Sequence, residues 1–196
     1  MTIPRRLRPA PAWAHAHGVI DLRSGGDCDP LTRARLSERL HRYCWSFDER
    51  RADLLSDCFT ADASWAGNVM GETRVGPLVG RSAVVDWLTG FWPYQRDQRR
   101  HVVANFIVEQ CEPDSATCLA YLLLLGSAGR SVALESAGIY RVEFRREGDT
   151  WRICRLDAGF DVPFWKQEVD EMDPWVRDLF GIEEAHADDS SDAAPD

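Results

Sequence analysis

HVVANFIVEQ (101–110), ATCLAYLLLLG (116–126), SVALESAGIYRVEFRR (131–146) and TWRICRLDAGF (150–160) follow one another with only short polar breaks between them. Their apolar residues recur with a period of two, and β-branched and aromatic side chains are frequent. The breaks at Glu112-Pro113-Asp114, Ser127–Arg130 and Glu147–Asp149 carry turn-forming residues. Four long strands joined in this way predict an antiparallel meander. Several of them are apolar on both faces, most of all around Leu119–Leu125. One face must pack on helices; the other needs cover, most simply from a second copy of the chain. A homodimer or higher homo-oligomer is therefore expected.

Upstream of these strands the period becomes helical. Asp29-Pro30 offers an N-cap carboxylate followed by proline at the first helical position. In the helix that follows, Leu36, Leu40, Tyr43 and Phe47 fall at steps of four, three and four, so they form one apolar stripe. A second short helix is expected over 52–59, strands over 61–66 and 70–79, and a third helix over 81–91, stopped by Pro93. A last short helix is expected at 174–180. Residues 1–28 read as a loosely docked extension, 29–181 as one domain, and the acidic stretch 182–196 as a disordered tail.

The chain has 196 residues, 44% of them hydrophobic, and a formal net charge of -9. That acidity argues against nucleic-acid and anionic-membrane partners, which call for basic patches. No apolar run approaches the roughly 20 residues that span a bilayer. The N-terminus makes a poor secretory signal. The six cysteines (28, 44, 58, 111, 118 and 154) form no C-x-x-C pair, and their spacing fits no zinc module. They read as reduced core residues of a cytoplasmic protein. No metal site, phosphate loop or serine nucleophile elbow is visible, and no cofactor is expected.

The order of helix, helix, strand pair, helix and four long strands resembles the NTF2-like superfamily, and within it the SnoaL-like proteins. RYCWSFDERRADLLSDCFTADASW (42–65) is similar to their first two helices and first strand, GRSAVVDWL (80–88) to their third-helix entry, and RRHVVANFIVE (99–109) to their His-x-x-x-Asn strand. The resemblance runs from about Leu31 to Asp161. It implies an α+β cone, with a bent antiparallel sheet and about three N-terminal helices around an apolar pocket. The same fold hosts isomerases, dehydratases, cyclases, epoxide hydrolases and non-catalytic subunits of ring dioxygenases. Compared with scytalone dehydratase, Asp48 matches the helix carboxylate and His101 the first strand histidine. The second strand histidine has no counterpart in 122–127. Compared with ketosteroid isomerase, Tyr43 matches the oxyanion tyrosine, but the two acidic positions fall near Gly67 and Ile139.

These matches and the residue chemistry point to Asp48, His101 and Tyr43 as candidate catalytic groups. Asp48 lies at the end of the first helix beside its apolar stripe, where it acts on a proton, caps the second helix or is solvated. Histidine is the side chain most readily tuned to move protons near neutral pH; His101 is either such a group or a hydrogen-bonded residue at a strand edge. Tyr43 is core, or a buried hydroxyl whose partner is a substrate oxygen. Strict alternation would turn Asn105 to the same face as His101, and there it would orient the imidazole or a substrate carbonyl. Trp65, Trp87, Trp92 and Tyr140 are candidate pocket walls. Glu135 is a candidate for either the pocket or a subunit interface, and Asp157 for the pocket mouth, with Asp161. The function expected is acid–base chemistry on a small hydrophobic substrate of polyketide-, terpenoid- or aromatic-like type. The competing expectation is a non-catalytic binder or structural subunit. In an enzyme Asp48 and His101 converge in one concave site; in a structural subunit they point apart or are tied up in salt bridges, with the cavity filled by side chains.

Overall fold

In the computed structural model, which describes residues 27–69 and 73–162, Asp29 caps the first helix as its position predicts. Its carboxylate accepts hydrogen bonds from the backbone N–H groups of Leu31 and Thr32, each at 3.0 Å. Helix α1 (Pro30–Asp48) buries Leu36, Leu40, Tyr43 and Phe47 along one side. Helix α2 (Ala52–Asp57) follows, then strands β1 (Phe59–Val69) and β2 (Thr73–Val79), and helix α3 (Arg81–Gly90). The four long strands are β3 (Gln98–Cys111), β4 (Ser115–Ala128), β5 (Ser131–Glu147) and β6 (Thr150–Phe160). Strand β1 is longer than its expected 61–66 because pairing with β6 extends it at both ends.

The six strands make one unclosed sheet in the order β2-β1-β6-β5-β4-β3. Four neighbouring pairs are antiparallel, as the hairpin turns require. The β1–β6 pair is parallel, so the sheet is mixed. Helix α1 packs on β3 and β6, and α3 on β1. The core lies between these helices and the inner face of the sheet, where Leu122, Tyr140, Val142, Ile153 and Leu156 are fully buried. The bent sheet and its helices are the α+β arrangement expected from the sequence. On the outer face Val102, Tyr121, Leu123, Val132 and Leu134 are exposed, Tyr121 at 55%.

Strand β3 does not alternate strictly. Its register with β4 slips between Ala104 and Ile107, and Asn105 sits in that bulge with a φ of 52°. Asparagine is one of the few non-glycine residues that tolerate this conformation. Asn105 is therefore exposed rather than turned inward with His101, which corrects the alternation argument.

The cysteines also depart from expectation. Cys28 and Cys111 form a disulfide with Cα atoms 5.5 Å apart. The Asp29 cap holds Cys28 just outside α1, and Arg33 Nη2 ties that end of the helix to the Phe106 carbonyl of β3 at 2.8 Å. The pair lies 83 residues apart in sequence, so spacing gave no sign of it. Cys44, Cys58 and Cys118 are free and buried, and Cys154 is free and half-buried. No described helix is long and apolar enough to cross a membrane. Most of the 1–28 extension, the expected helix at 174–180 and the tail at 182–196 lie outside the described residues.

Candidate active site

The end of α1 and the start of β3 meet through two residues that are far apart in the chain. Asp48 Oδ2 accepts the backbone N–H of His101 at 2.8 Å. Asp48 Oδ1 lies 2.6 Å from His101 Nδ1. Both side chains are buried, at 6% and 7% exposure. The first hydrogen bond fixes the strand against the helix end; the second fixes the imidazole ring. An ionised carboxylate has only lone pairs to offer, so the Nδ1 side carries the proton and Nε2 is left as the ring's other nitrogen. Gln98 Nε2 secures the same corner by donating to the Asp48 carbonyl at 2.9 Å. Arg51 occupies the α2 N-cap and makes no side-chain cap bond, so Asp48 does not cap α2.

His101 is paired with Leu124 across β3 and β4, and both line one slot between the helices and the sheet. The space between the walls totals about 440 Å³ out to the mouth. The His101 ring lies nearly parallel to Tyr140, 6.5 Å between centroids, and edge-on to Phe47 at 5.2 Å. Tyr140 in turn meets Tyr43 at 6.0 Å. Tyr43, Trp65, Trp87 and Tyr140 all line the slot.

The electrostatics follow from burial. Tyr43 is held far above the ordinary phenol range by burial first, then by neighbouring Cys44. Tyr140 is pushed up by burial and by Tyr43. Both stay protonated at any working pH and act as donors. The Tyr140 hydroxyl is directed at Tyr43 and stabilises it as an acceptor. Burial and the Asp48 charge likewise raise the Cys44 thiol, which makes it a poor nucleophile. Trp65, Trp87 and Trp92 each bury an indole N–H that meets no acceptor among the described residues. An unmade hydrogen bond of this kind costs about 1–3 kcal/mol.

Several expected site residues stand elsewhere. Asn105 is exposed at the β3 bulge. Trp92 packs edge-on against Phe47 at 6.0 Å and does not line the slot. Glu135 is buried at a β5 irregularity, with its carboxylate near Gly126 and the Asp97 side chain, and is not among the residues that line the slot. Asp157 is cross-strand to Arg141 and bonded to Arg155 Nε at 2.9 Å. Tyr140 faces the slot and pairs with Ala158, so Asp157 is on the opposite face, not at the mouth. Asp161 lies exposed just beyond β6.

Phe47, Phe91, Gln95, Arg99 and Phe160 line the slot without having been singled out. Phe47 carried a signal, since it ends the α1 stripe one residue before Asp48. Arg99 carried none: its Nε bonds Asp97 Oδ2 at 2.7 Å, an arrangement that two nearby charged residues in a turn do not reveal. Among the described residues no group of three or more His, Cys, Asp or Glu side chains is placed to hold a metal. The chemistry available is an oriented imidazole, backed by a buried carboxylate, facing neutral donors across an apolar slot. That is the arrangement of a general base with a place for a polarised oxygen.

A family model described as a SnoaL-like domain matches residues 31–157. No curated protein matches the sequence. Among solved structures, a cystatin-like-fold protein of unknown function from Nostoc punctiforme aligns with a TM-score of 0.58 at 17% identity, over 69% of this chain and 97% of that one. Aln2 from a Streptomyces species aligns at 0.59 and 17% identity, over 68% and 94%. The β subunit of a putative aromatic-ring-hydroxylating dioxygenase from Novosphingobium aromaticivorans aligns at 0.59 and 14% identity, over 68% and 91%. At these identities the likeness shows the fold alone.

Proposed function

The chain belongs to the SnoaL-like domain family, and from that premise we propose that it is a cofactor-free acid–base enzyme: a dehydratase, cyclase or isomerase. Its substrate is a small hydrophobic molecule of polyketide-, terpenoid- or aromatic-like type, and its setting is secondary metabolism. The single observation that carries this reading is the buried Asp48–His101 pair opening on an apolar slot. In the proposed reaction His101 Nε2 takes a proton from a carbon beside a carbonyl, and the C–H electron pair moves into the enolate. The Tyr43 hydroxyl donates to the developing oxyanion, and Asp48 steadies the imidazolium. The imidazolium then returns its proton, either to another carbon in an isomerisation or to a departing hydroxyl, which leaves as water. A purely structural subunit would use the Asp48–His101 bond only to tie α1 to β3 and would fill the cavity with side chains; that His101 also lines an unfilled slot supports the enzymatic reading.

The exposed outer face of β3, β4 and β5 supports a homodimer, with a second copy covering Val102, Tyr121, Leu123 and Leu134. The enzymatic reading is tested with a cyclic aromatic ketone, 1-tetralone, by following exchange of its α-protons with D2O. Asp48→Asn and His101→Ala are each expected to cut protein-catalysed exchange by about 10²–10⁴. Near-wild-type exchange in both variants would remove the catalytic reading.

A further inference from the structure

The three indole N–H groups that lack acceptors among the described residues are not scattered over the fold. Trp65 and Trp87 line the slot, and Trp92 packs behind Phe47. Buried donors in native proteins nearly always find partners. Two such donors on residues that line one cavity point to an acceptor that the described residues do not supply. Trp65 is partly accounted for, because it approaches the Tyr43 hydroxyl, though without the alignment of a regular hydrogen bond. Trp92 does not reach the slot. Trp87 does, and its indole stacks on Trp65 with centroids 4.3 Å apart, while Phe91 meets it edge-on at 4.8 Å. The ring is thus held in place with its N–H still to be satisfied.

We infer that Trp87 is a substrate-binding residue whose indole N–H donates to an oxygen of a flat, ring-containing substrate. The pocket then selects an oxygenated aromatic- or polyketide-like molecule over a terpenoid hydrocarbon of the same size. The inference rests on the acid–base reading only in taking this slot as the substrate site. The ring-containing class follows from the walls: Trp65, Trp87, Phe91, Tyr140 and Phe160 line the slot with aromatic faces and edges on which a flat ring packs. The oxygen requirement follows from the donors. A hydrocarbon leaves the Trp87 N–H and the Tyr43 hydroxyl unpaired, whereas a ketone or phenol oxygen satisfies one of them at once. A site built to hydrogen-bond an oxygen discriminates against the analogue that lacks it.

The test compares 1-tetralone with tetralin, which has the same two rings and a methylene in place of the carbonyl. By calorimetry, the wild-type protein is expected to bind 1-tetralone about tenfold more tightly, the effect of one neutral hydrogen bond. In Trp87→Phe, which keeps an aromatic wall but no donor at that position, the preference for the ketone is expected to shrink at least about threefold, Tyr43 supplying what remains. A preference that survives intact in Trp87→Phe, or no preference in the wild type, overturns the inference. A second measurement needs no variant. In the ¹⁵N-labelled wild-type protein, 1-tetralone is expected to shift the Trp87 indole N–H resonance downfield and tetralin is not; equal behaviour of the two overturns the inference. The His101→Ala variant is expected to keep the preference for the ketone, so a failure of proton transfer and a failure of this inference are read separately.

Discussion

Replacing Asp48 separates what its carboxylate does for the fold from what it does for the chemistry. The side chain accepts two hydrogen bonds, from the His101 backbone N–H at 2.8 Å and from the imidazole at 2.6 Å. In Asp48→Ala both donors lose their acceptor at a buried site. Removing one partner of a buried pair of this kind costs about 3–5 kcal/mol. Asp48→Asn is different. Its amide oxygen can still accept the backbone N–H, but its NH₂ then faces Nδ1. The second bond survives only if Nδ1 becomes the acceptor and the ring proton moves to Nε2. The fold keeps both contacts at a cost of about 1–2 kcal/mol, the loss of charge assistance in two bonds. The base, however, now carries a proton where it should carry a lone pair. Urea denaturation and tetralone exchange, measured on the same preparations, check this. The expected order of stability is wild type, then Asn, then Ala; the expected order of activity puts Asn with Ala, about 10²–10⁴ below wild type. An Asn variant that exchanges protons at the wild-type rate, or an Ala variant as stable as wild type, refutes the reasoning.

Other consequences follow from named contacts. A Cβ on Gly138 would stand 1.8 Å from the Gly159 carbonyl oxygen of the neighbouring strand; since backbone cannot swing aside, Gly138→Ala is expected to cost at least about 3 kcal/mol, read as a lower urea midpoint with an unchanged slope. Arg145, bonded to Asp62, holds that carboxyl down at about 2 against its ordinary 3.8. A depressed carboxyl contributes stability that is complete above its unfolded value and is lost as pH falls toward the folded one. Arg145→Ala should therefore lower stability above about pH 4, and the gap from wild type should close by about pH 2 in an acid-denaturation series. Thiol titration of the unreduced, unfolded protein is expected to find four of the six cysteines, with Cys28 and Cys111 missing. Light scattering is expected to find a dimer, and Leu123→Lys, which places a charge at the centre of the exposed apolar face, is expected to yield monomers.

Much of the architecture was legible because the relevant signals are local. The Asp29-Pro30 cap, the Leu36–Leu40–Tyr43–Phe47 stripe and the three turns between the long strands act over a few residues, and physics and pattern agree there. What was not legible depends on contacts between distant segments. The parallel β1–β6 pairing joins strands at opposite ends of the domain, and nothing in either strand specifies a parallel neighbour. The Cys28–Cys111 bridge is of the same kind. Asn105 failed for a subtler reason: the alternation rule was correct for His101 and Val103, but a single bulge residue resets it. Within the site, the resemblance to SnoaL-like proteins put Asp48, His101 and Tyr43 together on paper. In the fold Asp48 is bonded to His101, and His101 and Tyr43 line one slot. Asp157 was misplaced because burial of a carboxylate near a strand end does not say which face of the sheet it is on.

In the proposed reaction Asp48 holds the His101 proton on Nδ1 and leaves Nε2 free to act as a base. Long-range ¹H–¹⁵N correlation spectra of the His101 ring, taken at mildly alkaline pH, test it directly. The expected result is a protonated, pyrrole-type Nδ1 with its proton far downfield in the hydrogen bond to Asp48, and an unprotonated, pyridine-type Nε2. In Asp48→Asn the two nitrogen signatures should exchange. A wild-type ring protonated on Nε2, with Nδ1 bare, would contradict the account.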